Sequence, residues 1–313
     1  MKKTISNETL CVKKNLGSRL WKNRWLFLLF LPTLLTYIFF KYVPMWGVTI
    51  AFKDYKPLFG YWKSEWVGLQ HFRTFFSLPD STRVIKNTLI LGLESLIFTF
   101  PLPILLALLL NEIRNERFKK TVQTVSYLPH FLSVVVVCGM VTILLDPLRG
   151  GINQIISALG GKTINFLSES KWFRPVYIIT GVWQGLGWNT IIYLAAISGV
   201  DVNMYEAARL DGANRIQQMF SITLPSIAPT MVTMLILSVG RIMDSSVEKA
   251  LLLQKPITYD VSDLISTYVY RFGMLNNKYG YSTAVGLVTA VVNLVLLLTA
   301  NTIAKKISEN SLF

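Results

Sequence analysis

Six apolar runs, set against the roughly 20 helical residues that a bilayer's hydrocarbon core demands, limit what this chain can fold into. The first is "WLFLLFLPTLLTYIFF" from Trp25, continuing through "KYVPMWGVTIAF". The second, "NTLILGLESLIFTFPLPILLALLL", runs from Asn87 to Leu110 and is interrupted by Glu94 and by Pro101 and Pro103. The third, "TVSYLPHFLSVVVVCGMVTILL", ends at Leu145, and the fourth, "VYIITGVWQGLGWNTIIYLAAISGV", covers residues 176–200. A fifth begins near Ser226 with "SIAPTMVTMLILSVGRIMD", and the last, "TAVGLVTAVVNLVLLLTANTIA", covers 283–304. Inside hydrocarbon every backbone polar group must find its partner within the protein, which runs of this length achieve as helices. The expected fold is therefore all-α: a polytopic integral membrane protein with six transmembrane helices.

Lys and Arg near the span ends set the orientation. Lys2, Lys3, Lys13, Lys14, Arg19, Lys22 and Arg24 precede the first run, and Arg114, Arg117, Lys119 and Lys120 follow the second. Both groups are assigned to the cytoplasm, although the 41–86 segment carries seven cations of its own, partly offset by Asp54, Glu65 and Asp80. An even number of spans then gives an N-in, C-in protein. Its parts are a basic cytoplasmic tail over 1–24, a spanning domain over 25–304 with a cytoplasmic loop at 201–225, and a cytoplasmic tail over 305–313. The basic region before the first run is too long for a signal peptide and no small-residue cleavage site follows, so that run is expected to remain as an anchor.

Only 15% of the residues are charged, against about 25% in soluble domains. The net charge of +14 lies mostly beside apolar runs, where it suits anionic lipid headgroups and not nucleic acid. Cys11 and Cys138 are far apart, and the two histidines, His71 and His130, form no metal-ligand spacing. No HExxH, GxSxG or GxxxxGK[ST] string occurs, so ATP, if used, is bound by another subunit. The aromatic-rich segment 41–86 reads either as interfacial anchoring or as contact with an external partner.

Between the fourth and fifth runs lies the polar stretch "YEAARLDGANRIQQMFSITLP", residues 205–225. Asp201 or Asn203 is placed to cap a helix starting near Met204, with Glu206 in its first turn and Gly212 permitting a chain reversal. A second helix from Ala213 presents Ile216, Met219 and Phe220 on one face and is expected to end at Leu224-Pro225. Periodicity alone also allows a plain amphipathic connector.

Glu206-Ala207-Ala208, three residues, Gly212, nine residues, Ile222, one residue and Leu224-Pro225 reproduce E-A-A-x3-G-x9-I-x-L-P. With "WVGLQHF", "NTLILG" and "ITLPSIAPT", the chain resembles, from about residue 25 onward, the membrane-spanning subunits of binding-protein-dependent ABC importers, in particular the maltose-type carbohydrate permeases. The segment "FKDYKPLFGYWKSEWVGLQHF" looks most like permeases of complex-oligosaccharide importers, including those for rhamnogalacturonan fragments. The resemblance implies a multi-pass subunit of the bacterial plasma membrane, paired with a second, different permease, two ATPase subunits and an external solute-binding protein. It implies no catalysis and no cofactor in this chain, ATP and Mg belonging to the ATPase. Glu206, Ala207, Ala208, Arg209, Leu210, Asp211 and Gly212 would form the coupling helix that docks on the ATPase. An importer of a non-sugar solute such as an amino acid or polyamine stays open as an alternative, as does a polytopic membrane enzyme, for which Glu94, His130 and Asp244 offer only scattered groups.

Charged groups inside a membrane are functional suspects. Glu94 lies about 12 Å into the second run and either meets a sugar hydroxyl or is satisfied by a Ser, Thr or backbone partner. Arg241, Asp244 and Glu248 are spaced for one helix face, with Arg241 about 24 Å along the fifth run. They read as an internal Arg–Asp pair or as the polar mouth of a cavity. Gln184 and Trp188 share a face of the fourth run, followed by Asn189, and suit a sugar's hydroxyls and C–H surface or, equally, helix packing. The expected substrate path is thus Glu94, Gln184, Trp188, Asn189, Arg241 and Asp244.

Overall fold

The computed structural model describes residues 21–307. Most of the predicted 1–24 tail, Cys11 and residues 308–313 therefore lie outside the described residues. The chain divides into two units after Thr49. In the first, α1 (Arg24–Phe52) begins, and its Arg24–Tyr37 portion buries none of its side chains, as befits a helix that is apolar all round.

The second unit carries everything that follows. A two-stranded antiparallel hairpin, β1 (Lys53–Asp54) and β2 (Glu65–Trp66), stands inside 41–86 as a small addition to the helical fold that the sequence predicts. Pro57 precludes a continuous helix there, Gly60 takes a positive φ of 67°, and Phe52 stacks on Trp66 at 5.7 Å, closing the hairpin. The helices of six residues or more are α2 (Gln70–Ser77), α3 (Pro79–Glu112), α4 (Glu116–Phe131), α5 (Val134–Leu144), α6 (Gly151–Ala158), α7 (Ser170–Ser198), α8 (Val202–Leu210), α9 (Arg215–Val239), α10 (Val247–Leu253), α11 (Ile265–Tyr270) and α12 (Tyr279–Ile307).

Four of them, α1, α3, α9 and α12, are long and apolar enough to cross a bilayer, and α4 with α5 makes a fifth if counted as one broken span. The third predicted run is not a single helix: α4 and α5 meet at 103°, because Pro129 interrupts the first and Ser133 restarts the second by accepting the Val136 N–H. The fourth falls on α7, 29 residues long but studded with polar groups, and is not among the counted spans.

Two further expectations are corrected. The helix from Arg215 does not stop at Leu224-Pro225; it runs on to Val239 through a wide turn at Met219–Thr223, where the Leu224 N–H reaches back to the Met219 carbonyl. That extra residue in the turn accommodates a proline ring without breaking the helix. Nor do Arg241, Asp244 and Glu248 share a helix face: α9 ends at Val239, residues 240–246 form a turn, and Glu248 stands in the first turn of α10. α12 continues past Ala304 to Ile307, with Lys305 and Lys306 in its last turn, where cations suit the helix dipole.

Apolar packing fills three clusters. One joins Leu91, Cys138, Phe173 and Leu253; another joins Phe75, Val84, Met243 and Tyr268; the third joins Ile104, Ala107, Tyr193 and Ile227. A polar clamp locks the end of the bundle opposite α8. Fully buried Asp263 accepts from Arg271 Nη2 at 2.7 Å, Arg83 Nη2 at 3.4 Å and Thr267 Oγ1 at 3.1 Å. Asn87 Nδ2 adds a bond to the Asp263 carbonyl, tying α3 to the segment before α11.

Candidate functional site

At one end of the bundle, α8 is framed by its own sequence. Asp201, one of the two expected caps, accepts the Asn203 N–H at 2.9 Å and starts the helix at Val202, two residues earlier than predicted. The helix closes with Ala213 N–H donating to the Ala208 carbonyl at 2.8 Å and Gly212 N–H to the Arg209 carbonyl at 3.1 Å. This is the Schellman arrangement, and it needs a left-handed residue, which Gly212 supplies at φ +80°. Nothing stands within 4 Å of where a Gly212 side chain would begin, so backbone conformation alone demands the glycine.

Asn214 then opens α9 by a capping box with Gln217. Tyr205 and Thr223 share a hydroxyl hydrogen bond at 2.9 Å, and Arg215 pairs with Glu112 at 3.3 Å, so α8 is braced on α9 and α9 on α3. Glu206, Ala207, Arg209 and Leu210 are left exposed, Leu210 at 89%. All seven predicted coupling residues thus lie on α8 and its closing turn.

A second site forms where residues 240–246 turn back. Gly92 on α3 permits it: a Cβ there would collide with the Ile242 carbonyl oxygen. Asn293, midway along α12, holds the turn by accepting the Met243 N–H at 3.2 Å and donating to Asp244 Oδ1 at 2.7 Å. Together these contacts place the turn level with the middle of α3 and α12. No ion pair joins Arg241 to Asp244 among the described residues.

The turn walls a cavity of about 320 Å³ lined by Gly92, Ser95, Tyr177, Arg241, Asp244 and Lys249, among others. Tyr177 Oη accepts the Ser246 N–H at 3.1 Å, and the Lys249 ammonium stands 3.7 Å from the Tyr177 ring centroid. Of the predicted path residues this cavity brings together Arg241 and Asp244.

Glu94 lies in a neighbouring cavity of about 580 Å³, and its partner is Arg174 at 3.6 Å, where the sequence suggested a hydroxyl or backbone group. The Gln184 and Trp188 face points elsewhere. Gln184 Nε2 donates to the Leu132 carbonyl at 3.1 Å, exposed by the α4–α5 break, and Trp188 stacks on His130 at 4.4 Å. Asn189 is exposed. Lys249, Tyr177 and Arg174 were not singled out by sequence; the only signal was Tyr177 and Gly181 at a four-residue spacing on the face that meets the turn.

Known proteins resemble this chain in sequence and in fold. Protein LplB of Bacillus subtilis (strain 168) is 46% identical over 93% of this chain and 92% of its own length. The polygalacturonan/rhamnogalacturonan transport system permease protein YteP of the same organism is 46% identical over 96% and 94%. Among solved structures, a bacterial ABC transporter involved in import of the acidic polysaccharide alginate matches with a TM-score of 0.86 and 41% identity, covering 94% of this chain and all of that one. The alginate transporter in complex with its alginate pentasaccharide-bound periplasmic protein matches at a TM-score of 0.87 and 40% identity, covering 96% of this chain. Residues 99–309 match the family model for binding-protein-dependent transport system inner membrane components, and together with the α8 motif and the fold this shows that the chain belongs to that family.

Proposed function

We propose that this chain is one of two permease subunits of an ATP-driven importer in the bacterial plasma membrane, moving an oligosaccharide delivered by an external solute-binding protein. The relatives named for polygalacturonan, rhamnogalacturonan and alginate transport support the sugar, and the alginate complex supports the binding protein. In this reading α7 is the sixth span, the α8 end faces the cytoplasm, and both termini are cytoplasmic. ATP and Mg are held by a pair of ATPase subunits, and a second permease completes the membrane part.

The observation that carries the proposal is α8: a short, exposed helix closed by Gly212 and braced on a long helix that leads to the cavity. Glu206, Ala207, Ala208, Arg209, Leu210, Asp211 and Gly212 form the docking element, with small Ala207 and Ala208 admitting close approach and Glu206 available to a cation of the ATPase. α9 has 25 residues, about 36 Å, from Arg215 beside α8 to Val239 beside the cavity turn. Closure of the ATPase pair displaces α8, and α9 passes the displacement to Arg241 and Asp244, switching the access of the cavity between the two sides. Glu94 lies on an adjoining wall of that path, while Gln184 and Trp188 support the break between α4 and α5 and Asn189 stays at the exposed surface.

The test is recovery of ATPase with the detergent-solubilised chain, co-expressed with its second permease and candidate ATPases. Wild type is expected to retain ATPase, and Glu206→Lys and Gly212→Val to lose it while still inserting in the membrane. Equal recovery with all three chains would remove α8 as the docking element.

A further inference from the structure

Lys249 has an unusual setting. It stands in the first turn of α10 with its ammonium over the face of Tyr177, on the wall of the 320 Å³ cavity, and it makes no ion pair among the described residues. Nearby cations are matched: Arg174 with Glu94, Arg83 and Arg271 with Asp263. Room for the Lys249 ammonium is built into α7, because a Cβ on Gly181 would come within 2.8 Å of Nζ.

The other charges in the cavity sharpen this. Arg241 lines it with no ion pair among the described residues, and Asp244, the single carboxylate among the lining residues, already accepts a hydrogen bond from the Asn293 amide. Two cations thus face one engaged anion, around hydroxyls from Ser95, Thr99, Ser238 and Tyr177. A neutral sugar needs hydroxyl partners but no surplus of positive charge, and a desolvated ammonium without an anion is costly to keep. A sugar ring that carries a carboxylate supplies the missing anion and presents its C–H face and hydroxyls to the remaining lining.

We infer that the cavity binds carboxylate-bearing sugar units, uronates, with Lys249 as the group that takes the carboxylate and Arg241 as a second cation for the same acidic chain. This rests on the reading of the protein as an oligosaccharide permease and adds the chemical class of the cargo and the residue that selects it.

The complete importer, reconstituted in liposomes with its binding protein, is given trigalacturonate or the fully methyl-esterified trimer, and uptake and ATP hydrolysis are followed. Wild type is expected to take up the acid in preference to the ester. Lys249→Gln should lose acid uptake roughly tenfold or more, the loss typical of removing one partner of a desolvated charge pair. Lys249→Arg should recover most of it, and in both variants the ATPase should still co-purify with the permease. Undiminished acid uptake by Lys249→Gln, or wild-type uptake of ester equal to that of acid, overturns the inference and leaves the permease reading intact. An assembled complex that carries neither trimer overturns the inference as well, whereas failure of any ATPase to co-purify with wild type removes the permease reading itself.

Discussion

A missing methyl group decides where Arg241 can stand. At Gly92 any side chain would collide with the Ile242 carbonyl, which is backbone and cannot swing aside, so Gly92→Ala must push the 240–246 turn out of place. Overpacking of this kind costs about 1–3 kcal/mol, and the expected result is a clear fall in the melting temperature of the detergent-solubilised protein. Gly286→Ala on α12, where nothing stands within 4 Å, should leave that temperature unchanged or slightly higher; equal melting of the two variants would show that the close approach carries no strain. Glu94 is a different case. Its pair with Arg174 is long at 3.6 Å and partly exposed on both sides, so Glu94→Gln should cost less than about 1 kcal/mol of stability. Uptake should fall while the amount of protein in the membrane holds, and loss of protein alone would make Glu94 a structural residue. Gly212 was legible in the sequence because its motif is local, a helix followed by a residue that must turn left-handed. Arg174 and Lys249 were not, because each gains its meaning from a residue far away in the chain, and no periodicity says which distant helix will come to face it.

Helices of about 20 apolar residues announce themselves; the places where they stop do not. Thr121 to Leu145 reads as one run because hydropathy carries no information about direction, and the 103° bend between α4 and α5 depends on a partner from another helix. Gln184 is that partner: it bonds the Leu132 carbonyl that the break leaves without a helical donor. Gln184→Leu keeps the volume and removes the donor, so it should destabilise by about 1 kcal/mol, the net worth of one hydrogen bond to a part-buried carbonyl. Thermal unfolding of the purified protein measures this, and an unchanged midpoint would mean that water serves the carbonyl equally well. The same limit explains α9. Pro225 is a reasonable stop signal on local grounds, and the wide turn at Met219–Thr223 that absorbs it has no signature in residue type. Likewise the end of α9 at Val239 is imposed by contacts of Gly240 with Leu297 and of Met243 with Asn293, both on α12.

At the scale of the molecule, the sidedness read from Lys and Arg counts can be tested on two exposed leucines at opposite ends. With Cys11 replaced by Ser and Cys138 buried, Leu159→Cys and Leu210→Cys give single reactive thiols. A membrane-impermeant maleimide added to intact cells should label the first at once and the second only after the membrane is opened, and the reverse pattern would invert the topology. Hydropathy made the helical membrane character legible at this scale, but not the hairpin at 53–66 or the seat of the 240–246 turn against α3 and α12, both of which arise from contacts between segments. α9, one helix with the proposed ATPase dock at its foot and the cavity turn at its head, has a thermodynamic consequence. If ATP-driven closure weakens the hold of the cavity on sugar by some factor, sugar in the cavity must oppose closure by that same factor, since the two events share one free-energy cycle. The rate at which the distant ATPase turns over is then a gauge of cavity occupancy, readable without following the sugar at all.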